Sequence, residues 1–62
     1  MNFKKGEVMK VYVYDKKTNK SVAIITDVIL VREFANSIEI IDTIGRDFVY
    51  DKREVKTCIY QN

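Results

Sequence analysis

Lysines and tyrosines that alternate near the start of the chain are the residues whose types and spacing best suit a chemical task. The group consists of Lys10, Tyr12, Tyr14, Lys16, Lys17 and Lys20. Ammonium groups follow phosphates and aromatic rings stack on bases, so this combination is typical of β surfaces that bind single-stranded nucleic acid. Two tyrosines at this spacing are more often packing or interface residues, and lysine-rich loops are usually only solvated. The pattern leaves both a nucleic-acid surface and a protein-contact surface open.

Residue types give little support to catalysis. The sequence contains no histidine, and histidine is the commonest general base and the commonest catalytic metal ligand. Ser21, Ser37 and Cys58 therefore have no imidazole partner that would activate them as nucleophiles. Cys58 is the single cysteine and lies beside Ile59 and Tyr60, so we expect a small buried side chain. One cysteine without histidine is also a poor basis for a zinc site. We expect no enzyme activity, no cofactor and no metal.

Carboxylates are the remaining candidates for acid–base work. They include Asp27, Glu33, Glu39, Asp42, Asp47 and Asp51. Glu39 and Asp42 do not fall on one strand face, and no calcium-loop motif is present, so we expect solvated charges on the outer surface. Asp27 differs because it interrupts an apolar run. It is either a bulge residue that faces water or a charge on a binding face that selects the partner.

Strands must position all of these residues. Val, Ile and Thr supply twenty of the 62 residues, whereas Ala and Leu together supply three. β-Branched side chains fit a pleated, half-buried surface, while Ala and Leu favour helices. The composition therefore predicts an all-β protein.

The alternation of apolar and polar residues predicts five strands. They run over residues 7–14, 21–34, 38–44, 48–50 and 55–60. Residues 15–20 have the character of a hairpin loop built on a type I turn, with Asn19 in the left-handed region. The second strand is more than twice the usual strand length. Thr26 and Asp27 interrupt its pattern, which predicts a bulge or corner there.

Element order resembles that of SH3-like and related small barrels. Asp51 and Glu54 have the spacing of a capping box, which predicts one short 3-10 turn near residues 51–54, between the fourth and fifth strands. The resemblance is to a superfold, which hosts many unrelated functions. It implies a single domain over residues 1–62, folded as an SH3-like antiparallel barrel of five or six strands.

Both faces of the first two strands are apolar. In the first strand the two sets are Met9, Val11 and Val13 against Val8, Tyr12 and Tyr14. In the second, one face is expected to hold Val22, Ile24, Val28, Leu30 and Phe34, and the other Ile29 and Val31. A small barrel fully buries only one face of each strand. Either the bend in the second strand lets that strand form part of two sheets, or the second apolar face contacts another chain. The strands at the edges of so small a sheet offer a further way to bind another chain, by pairing with one of its strands.

Charge and hydropathy restrict the setting. The net charge is +2, from eleven basic and nine acidic residues, which is too weak to imply nucleic acid by itself. The longest uncharged apolar run, residues 28–31, is far too short for a membrane span, so no membrane is expected. A single cysteine cannot form an internal disulfide, which favours a reducing, cytoplasmic setting.

Taken together, these features favour a non-catalytic interaction module that self-associates as a homo-oligomer or docks on a larger protein. Nucleic-acid binding through the first hairpin is the alternative. The expected binding surface comprises Lys10, Tyr12, Tyr14, Lys16, Lys17, Lys20, Asp27, Ile29 and Val31. The richness in Lys, Ile, Asn and Tyr suits an AT-rich genome, and such small proteins often come from phage or mobile elements.

Overall fold

Five strands and no helix make up residues 8–61, the part of the chain that the computed structural model describes. The strands are β1 (Met9–Asp15), β2 (Ser21–Glu33), β3 (Ser37–Asp42), β4 (Asp47–Asp51) and β5 (Val55–Gln61). They form one antiparallel sheet in the order β4-β3-β2-β1-β5. The all-β prediction is confirmed. The sheet is not closed, because β4 and β5 lie at its two edges and do not pair with each other. Residue 7, where the first strand was predicted to begin, lies outside the described residues.

The β1–β2 hairpin has the predicted loop. Asp15 Oδ1 accepts hydrogen bonds from the backbone N–H groups of Lys17 at 2.8 Å and Thr18 at 3.0 Å. Asn19 has a φ of 63° and donates its N–H to the Asp15 carbonyl at 2.8 Å. Asparagine tolerates this left-handed conformation better than most residues, because its short polar side chain bonds locally. The sequence prediction for Asn19 is confirmed.

β2 contains the predicted bulge at Asp27. Asp27 has a φ of 56°, and the register with β1 changes from Val11 opposite Ile25 to Met9 opposite Val28. One extra residue of β2 is thus inserted on the β1 side, in the conformation of a bulge with a left-handed first residue. A second register shift, between Val28 and Leu30, lies on the β3 side.

These two bulges overturn the predicted face of β2. Val22, Ile24 and Leu30 are exposed, whereas Val28, expected on the same face, is completely buried. Each inserted residue moves the following side chains to the opposite face, because the side-chain period of a strand is two. Val31, expected on the other face, consequently joins Val28 in packing against the core.

The hydrophobic core covers one face of the sheet. Its buried members are Val11, Val13, Ile25, Val28, Ile38 and Ile40. Half-buried side chains packed against them are Met9, Ala23, Val31, Phe48, Tyr50 and Val55. Ile40 lies between Val31 and Phe48 of the neighbouring strands. Because β1 sends Val11 and Val13 into this core, its alternate residues must project from the other face, here called the outer face.

Asp42, at the end of β3, is buried rather than solvated as predicted. It is only 1% exposed and accepts hydrogen bonds from Ile44 N at 3.2 Å, Arg46 N at 2.9 Å and Arg46 Nε at 2.7 Å. Burial raises the pKa of the Asp42 carboxyl, but the hydrogen bonds and the charge of Arg46 more than offset it, so the pKa lies below its ordinary value. Gly45, with a φ of 87°, permits the chain to turn around the carboxylate.

Residues 52–54 form a hydrogen-bonded turn, and the short 3-10 turn predicted near residues 51–54 is not assigned there. Glu54 N donates to the Asp51 carbonyl at 3.0 Å, while Asp51 Oδ1 accepts from Arg53 N at 2.8 Å. Asp51 thus caps the turn as predicted, but its side chain bonds two residues ahead instead of three. The side chain and the backbone N–H of Arg53 lower the pKa of Asp51 to about 2.

Candidate functional site

Three tyrosines and a lysine meet on the outer face of β1 and β5. Tyr12 contacts Tyr60 edge-to-face, with ring centroids 5.3 Å apart and an interplanar angle of 88°. Its ring is nearly parallel to that of Tyr14, at 9° and 6.5 Å. Lys10 completes the lining of a shallow recess of about 200 Å³. We call Lys10, Tyr12, Tyr14 and Tyr60 the tyrosine surface.

Strand register explains how this surface forms. Lys10, Tyr12 and Tyr14 alternate with the buried valines of β1, so all three lie on the outer face. β5 runs antiparallel to β1 with Lys10 opposite Tyr60. The sequence prediction found the three β1 residues but missed Tyr60. The sequence pattern alone did not indicate it, because Tyr60 reaches Tyr12 only through the pairing of β5 with β1.

Exposed apolar side chains extend the tyrosine surface. Ile24 of β2 and Cys58 of β5 lie directly opposite Tyr12 on either side. Ile24 is 56% exposed, and Cys58 is exposed as well. The prediction that Cys58 is buried is therefore wrong. Its strand is an edge, and its side chain lies on the outer face, away from the core.

Positive charge borders the tyrosines. Lys10 pairs with Tyr60, and Lys56 of β5 pairs with Tyr14. Asp15 is the one carboxylate of β1 and β5, and its Oδ1 accepts from the hairpin loop. This half of the outer face is consequently basic and aromatic.

Carboxylates collect on the other half of the outer face. Arg32 Nη2 of β2 lies 2.7 Å from Glu39 Oε1 of β3. Hydrogen bonds from Asp47 and from Arg32 lower the pKa of Glu39. The pKa of Asp47 is raised in turn, first by its hydrogen bond to Glu39 and then by burial. Glu39, Asp47 and Arg32 thus form a side-chain contact that joins three neighbouring strands of the sheet.

The three loop lysines of the predicted surface lie apart from the tyrosines. Lys16 lines a second recess, of about 210 Å³, with Glu33, Lys52 and Lys56 among its neighbours. Lys17 lies with Asp15, Arg53 and Glu54 on a third. Lys20 is exposed in the hairpin loop.

The β2 members of the predicted surface are dispersed. Asp27 is exposed in the bulge, and its carbonyl accepts the N–H of Thr43 at 2.9 Å. Ile29 is half-buried at the second register shift. Val31 packs against the core from the opposite face of the sheet. Of the nine predicted residues, the tyrosine surface brings together only Lys10, Tyr12 and Tyr14.

Residues 8–61 contain no cluster of three or more His, Cys, Asp or Glu side chains that would hold a metal ion. None of the secondary structure in that range is a helix long and apolar enough to cross a membrane. Compared with protein-family models, with curated proteins and with solved structures, the chain matches none of them.

Proposed function

We propose that this chain is a non-catalytic protein-interaction module that contacts its partner through the tyrosine surface. The observation that carries the proposal is the contact of Tyr12 with both Tyr14 and Tyr60 on an outer face that also exposes Ile24. Tyrosine is enriched at protein interfaces, because a large rigid ring and a hydroxyl group combine apolar area with hydrogen bonding. The partner is a second copy or a larger protein.

Preorganisation of the rings supports this function. Tyr12 already makes two ring contacts in the isolated chain, at 5.3 Å and 6.5 Å. A side chain that is ordered before binding loses less conformational entropy on binding, and this leaves more of the contact energy as affinity. The central tyrosine is therefore the expected anchor of the interface.

The proposed architecture remains an SH3-like barrel. Two features support it: β5 returns to pair with β1, and β2 bends at two bulges. In such a barrel the outer face of β1 and β5 stays available, because the core occupies the interior.

A capture experiment tests the interaction. The immobilised chain is exposed to an extract of its source cell, and the retained proteins are compared with those of a Tyr14→Ser/Tyr60→Ser double variant. Removing two interface rings should weaken retention by about 30-fold or more, since 30-fold is the loss expected when only one of them is a hot-spot residue worth about 2 kcal/mol. Val49→Ser is the control, since Val49 is 63% exposed on β4 and lies outside the tyrosine surface. Equal retention by wild type and the double variant would contradict the proposal.

Nucleic-acid binding is the second candidate, and the placement of Lys10 and Lys56 beside the tyrosines favours it. Rings would stack on bases while the ammonium groups contact phosphates. Fluorescence titration with single-stranded and duplex oligonucleotides at two salt concentrations tests it. Phosphate contacts make the affinity fall as salt rises. If no salt-dependent binding occurs, this candidate is eliminated and the protein-interaction proposal stands.

The proposed location is the cytoplasm, on the basis of one cysteine that has no partner in the chain. The proposed origin is a phage or mobile element, on the basis of the richness in Lys, Ile, Asn and Tyr. Sequencing the DNA that flanks the coding region in its source would test the origin, since integrase or structural phage genes are expected there.

A further inference from the structure

The free edge of β5 differs from the free edge of β4. β5 pairs with β1 along all seven of its residues without a register shift, and Lys56 is its one charged residue. β4 has five residues and an aspartate at each end. Natural edge strands are protected by short length, charge, proline or a bulge. β4 has the first two protections, whereas β5 presents a long regular edge that no strand covers within residues 8–61.

Backbone hydrogen bonding fixes which groups of β5 point to this edge. Lys16 N donates to the Glu54 carbonyl at 2.9 Å, and the β1–β5 register continues to place these two residues opposite each other. Hydrogen-bonded pairs alternate along an antiparallel ladder. The backbone groups that point toward β1 therefore belong to Lys56, Cys58 and Tyr60. Those that point to the free edge belong to Val55, Thr57, Ile59 and Gln61.

We propose that β5 pairs antiparallel with β5 of a second copy of this chain, about a twofold axis at Cys58. The inference goes beyond the proposed function, because the second copy is bound through the backbone edge of β5 and not through the tyrosine surface. When all seven residues of one β5 lie opposite the seven residues of the other, every backbone N–H and C=O group at the free edge is hydrogen-bonded. Thr57 then pairs with Ile59 of the second copy, and Val55 with Gln61, each pair occurring twice. The two five-stranded sheets become one continuous sheet.

Charge favours this pairing over the alternatives. Full overlap places Lys56 opposite Tyr60 of the second copy, which puts an ammonium group beside an aromatic ring and no charge opposite a like charge. The same arrangement of two β4 strands would place Asp47 opposite Asp51, and like charges directly opposite destabilise a sheet. Pairing β4 of one copy with β5 of the next would give an open-ended assembly. β5 with β5 is the arrangement that closes as a dimer without repulsion.

The dimer also extends the tyrosine surface. Tyr60 contacts Tyr12 of its own copy at 5.3 Å and lies opposite Lys56 of the second copy. The two tyrosine surfaces thereby become continuous across the axis. Ile59, which is 46% exposed in the single chain, gains a neighbour in Thr57 of the second copy.

Disulfide cross-linking tests the register. Cys58 would face itself in a non-hydrogen-bonded pair, where Cα atoms are about 4.5 Å apart, within the range that a disulfide spans. Diamide takes up the two thiol hydrogens, and a covalent dimer is expected on a non-reducing gel. In a Cys58→Ser background, Lys56→Cys and Tyr60→Cys should cross-link slowly alone and rapidly when mixed. Equal rates for every combination would indicate random collision and overturn the proposal.

A proline at the edge tests the dimer without oxidation. The Thr57 N–H points away from β1, so Thr57→Pro removes no bond of the single chain, and proline is tolerated at such edge positions. Sedimentation should show a dimer for wild type and for the control Thr57→Ser, and a monomer for Thr57→Pro with an unchanged circular dichroism spectrum. If the proline variant unfolds, Ile59→Lys, which adds a charge at the same edge, should give the folded monomer. A wild-type monomer at every concentration, or an open-ended assembly, overturns the inference.

The two proposals fail separately. If the wild type is a monomer but captures a protein that the Tyr14→Ser/Tyr60→Ser variant does not capture, the β5 dimer is overturned. The proposed interaction module then stands. Cross-linking in register together with capture that does not depend on the tyrosines overturns the tyrosine surface and leaves the dimer standing.

Discussion

At the scale of single residues, Asp42 shows how a charge becomes part of the interior. Its carboxylate is 1% exposed, and three hydrogen bonds satisfy it, two of them from Arg46. A buried charge is tolerated only when it is paired and hydrogen-bonded. The same bonds close the β3–β4 turn, which sets the position of β4 against β3.

We expect Asp42→Asn to lower the urea midpoint of unfolding clearly. The amide is neutral and has one acceptor oxygen in place of two, so it cannot serve both Arg46 N and Arg46 Nε as the carboxylate does. Glu33→Gln is the control, because Glu33 forms an exposed ion pair with Lys52 at 3.3 Å, and such pairs contribute little. Equal midpoints for the two variants would show that the Asp42 bonds do not hold the turn.

Acid should destabilise the protein partly through Asp51. The pKa of Asp51 is lowered in the folded protein from 3.8 to about 2, so its contribution is complete above the unfolded value and is lost as pH falls through the folded one. Asp51→Asn should be less stable than wild type at neutral pH, and the difference should shrink between about pH 4 and pH 2. Urea titrations at several pH values measure this. Arg53→Gln removes the largest cause of the lowered pKa, the side-chain hydrogen bonds of Arg53, and should therefore reduce the loss of stability between about pH 4 and pH 2. A stability difference between Asp51→Asn and wild type that stays constant with pH would contradict the assignment.

At the scale of elements, the bulge in β2 decides which side chains reach the core. Asp27 adopts a φ of 56°, a conformation that costs most residues about 1–2 kcal/mol and glycine almost nothing. The bend places Ile25 and Val28, three residues apart, on the same buried face.

At position 27, glycine should therefore give a more stable protein than alanine, which is the reverse of the usual order at strand positions. Asp27→Gly should match or exceed the wild-type free energy of unfolding, whereas Asp27→Ala should lie about 1 kcal/mol below the glycine variant. Chemical denaturation gives both values. Thr26→Gly is the matched control, because the φ of Thr26 is not positive and glycine weakens an ordinary strand position. Asp27→Ala as stable as Asp27→Gly would indicate that the bulge relaxes.

At the scale of the whole molecule, a small core supports the entire sheet. Within residues 8–61 it contains six buried hydrophobic side chains, and one core in a chain of this length rarely supplies more than about 3–5 kcal/mol. Pairing of two copies would add to this stability by mass action.

Truncation of one core residue should accordingly unfold much of the protein. Ile40→Ala removes the side chain between Val31 and Phe48 and should cost about 2–5 kcal/mol, which approaches the total. Val49→Ala, on an exposed neighbour in β4, should change stability by no more than about 0.5 kcal/mol. Thermal melts followed by circular dichroism compare the two. A fully folded Ile40→Ala at room temperature would show that the core is not the main source of stability.

Features that depend on composition, on a single residue or on a short stretch of sequence were predicted correctly. The all-β class follows from β-branched composition, the Asn19 conformation from turn chemistry, and the bulge at Asp27 from a polar interruption in an apolar run. Besides the side chains of β2, Cys58 and Asp42 were misplaced because burial depends on neighbours in space: Cys58 lies on an edge strand, and Asp42 is enclosed by its own turn. Tyr60 joined the tyrosine surface through pairing of strands that are distant in the sequence.

By itself, the sequence determined that this chain forms strands, where the first hairpin turns and where the long strand breaks, because these depend on steric preferences of single residues and short patterns. Only the tertiary structure decided which side chains share a face and which edge is open. Each bulge moves the side chains that follow it to the opposite face of the strand. The order of strands in the sheet is set by contacts between segments that are distant in the sequence. The surface of Lys10, Tyr12, Tyr14 and Tyr60 and the edge of β5, which no strand covers within residues 8–61, both arise from that long-range pairing.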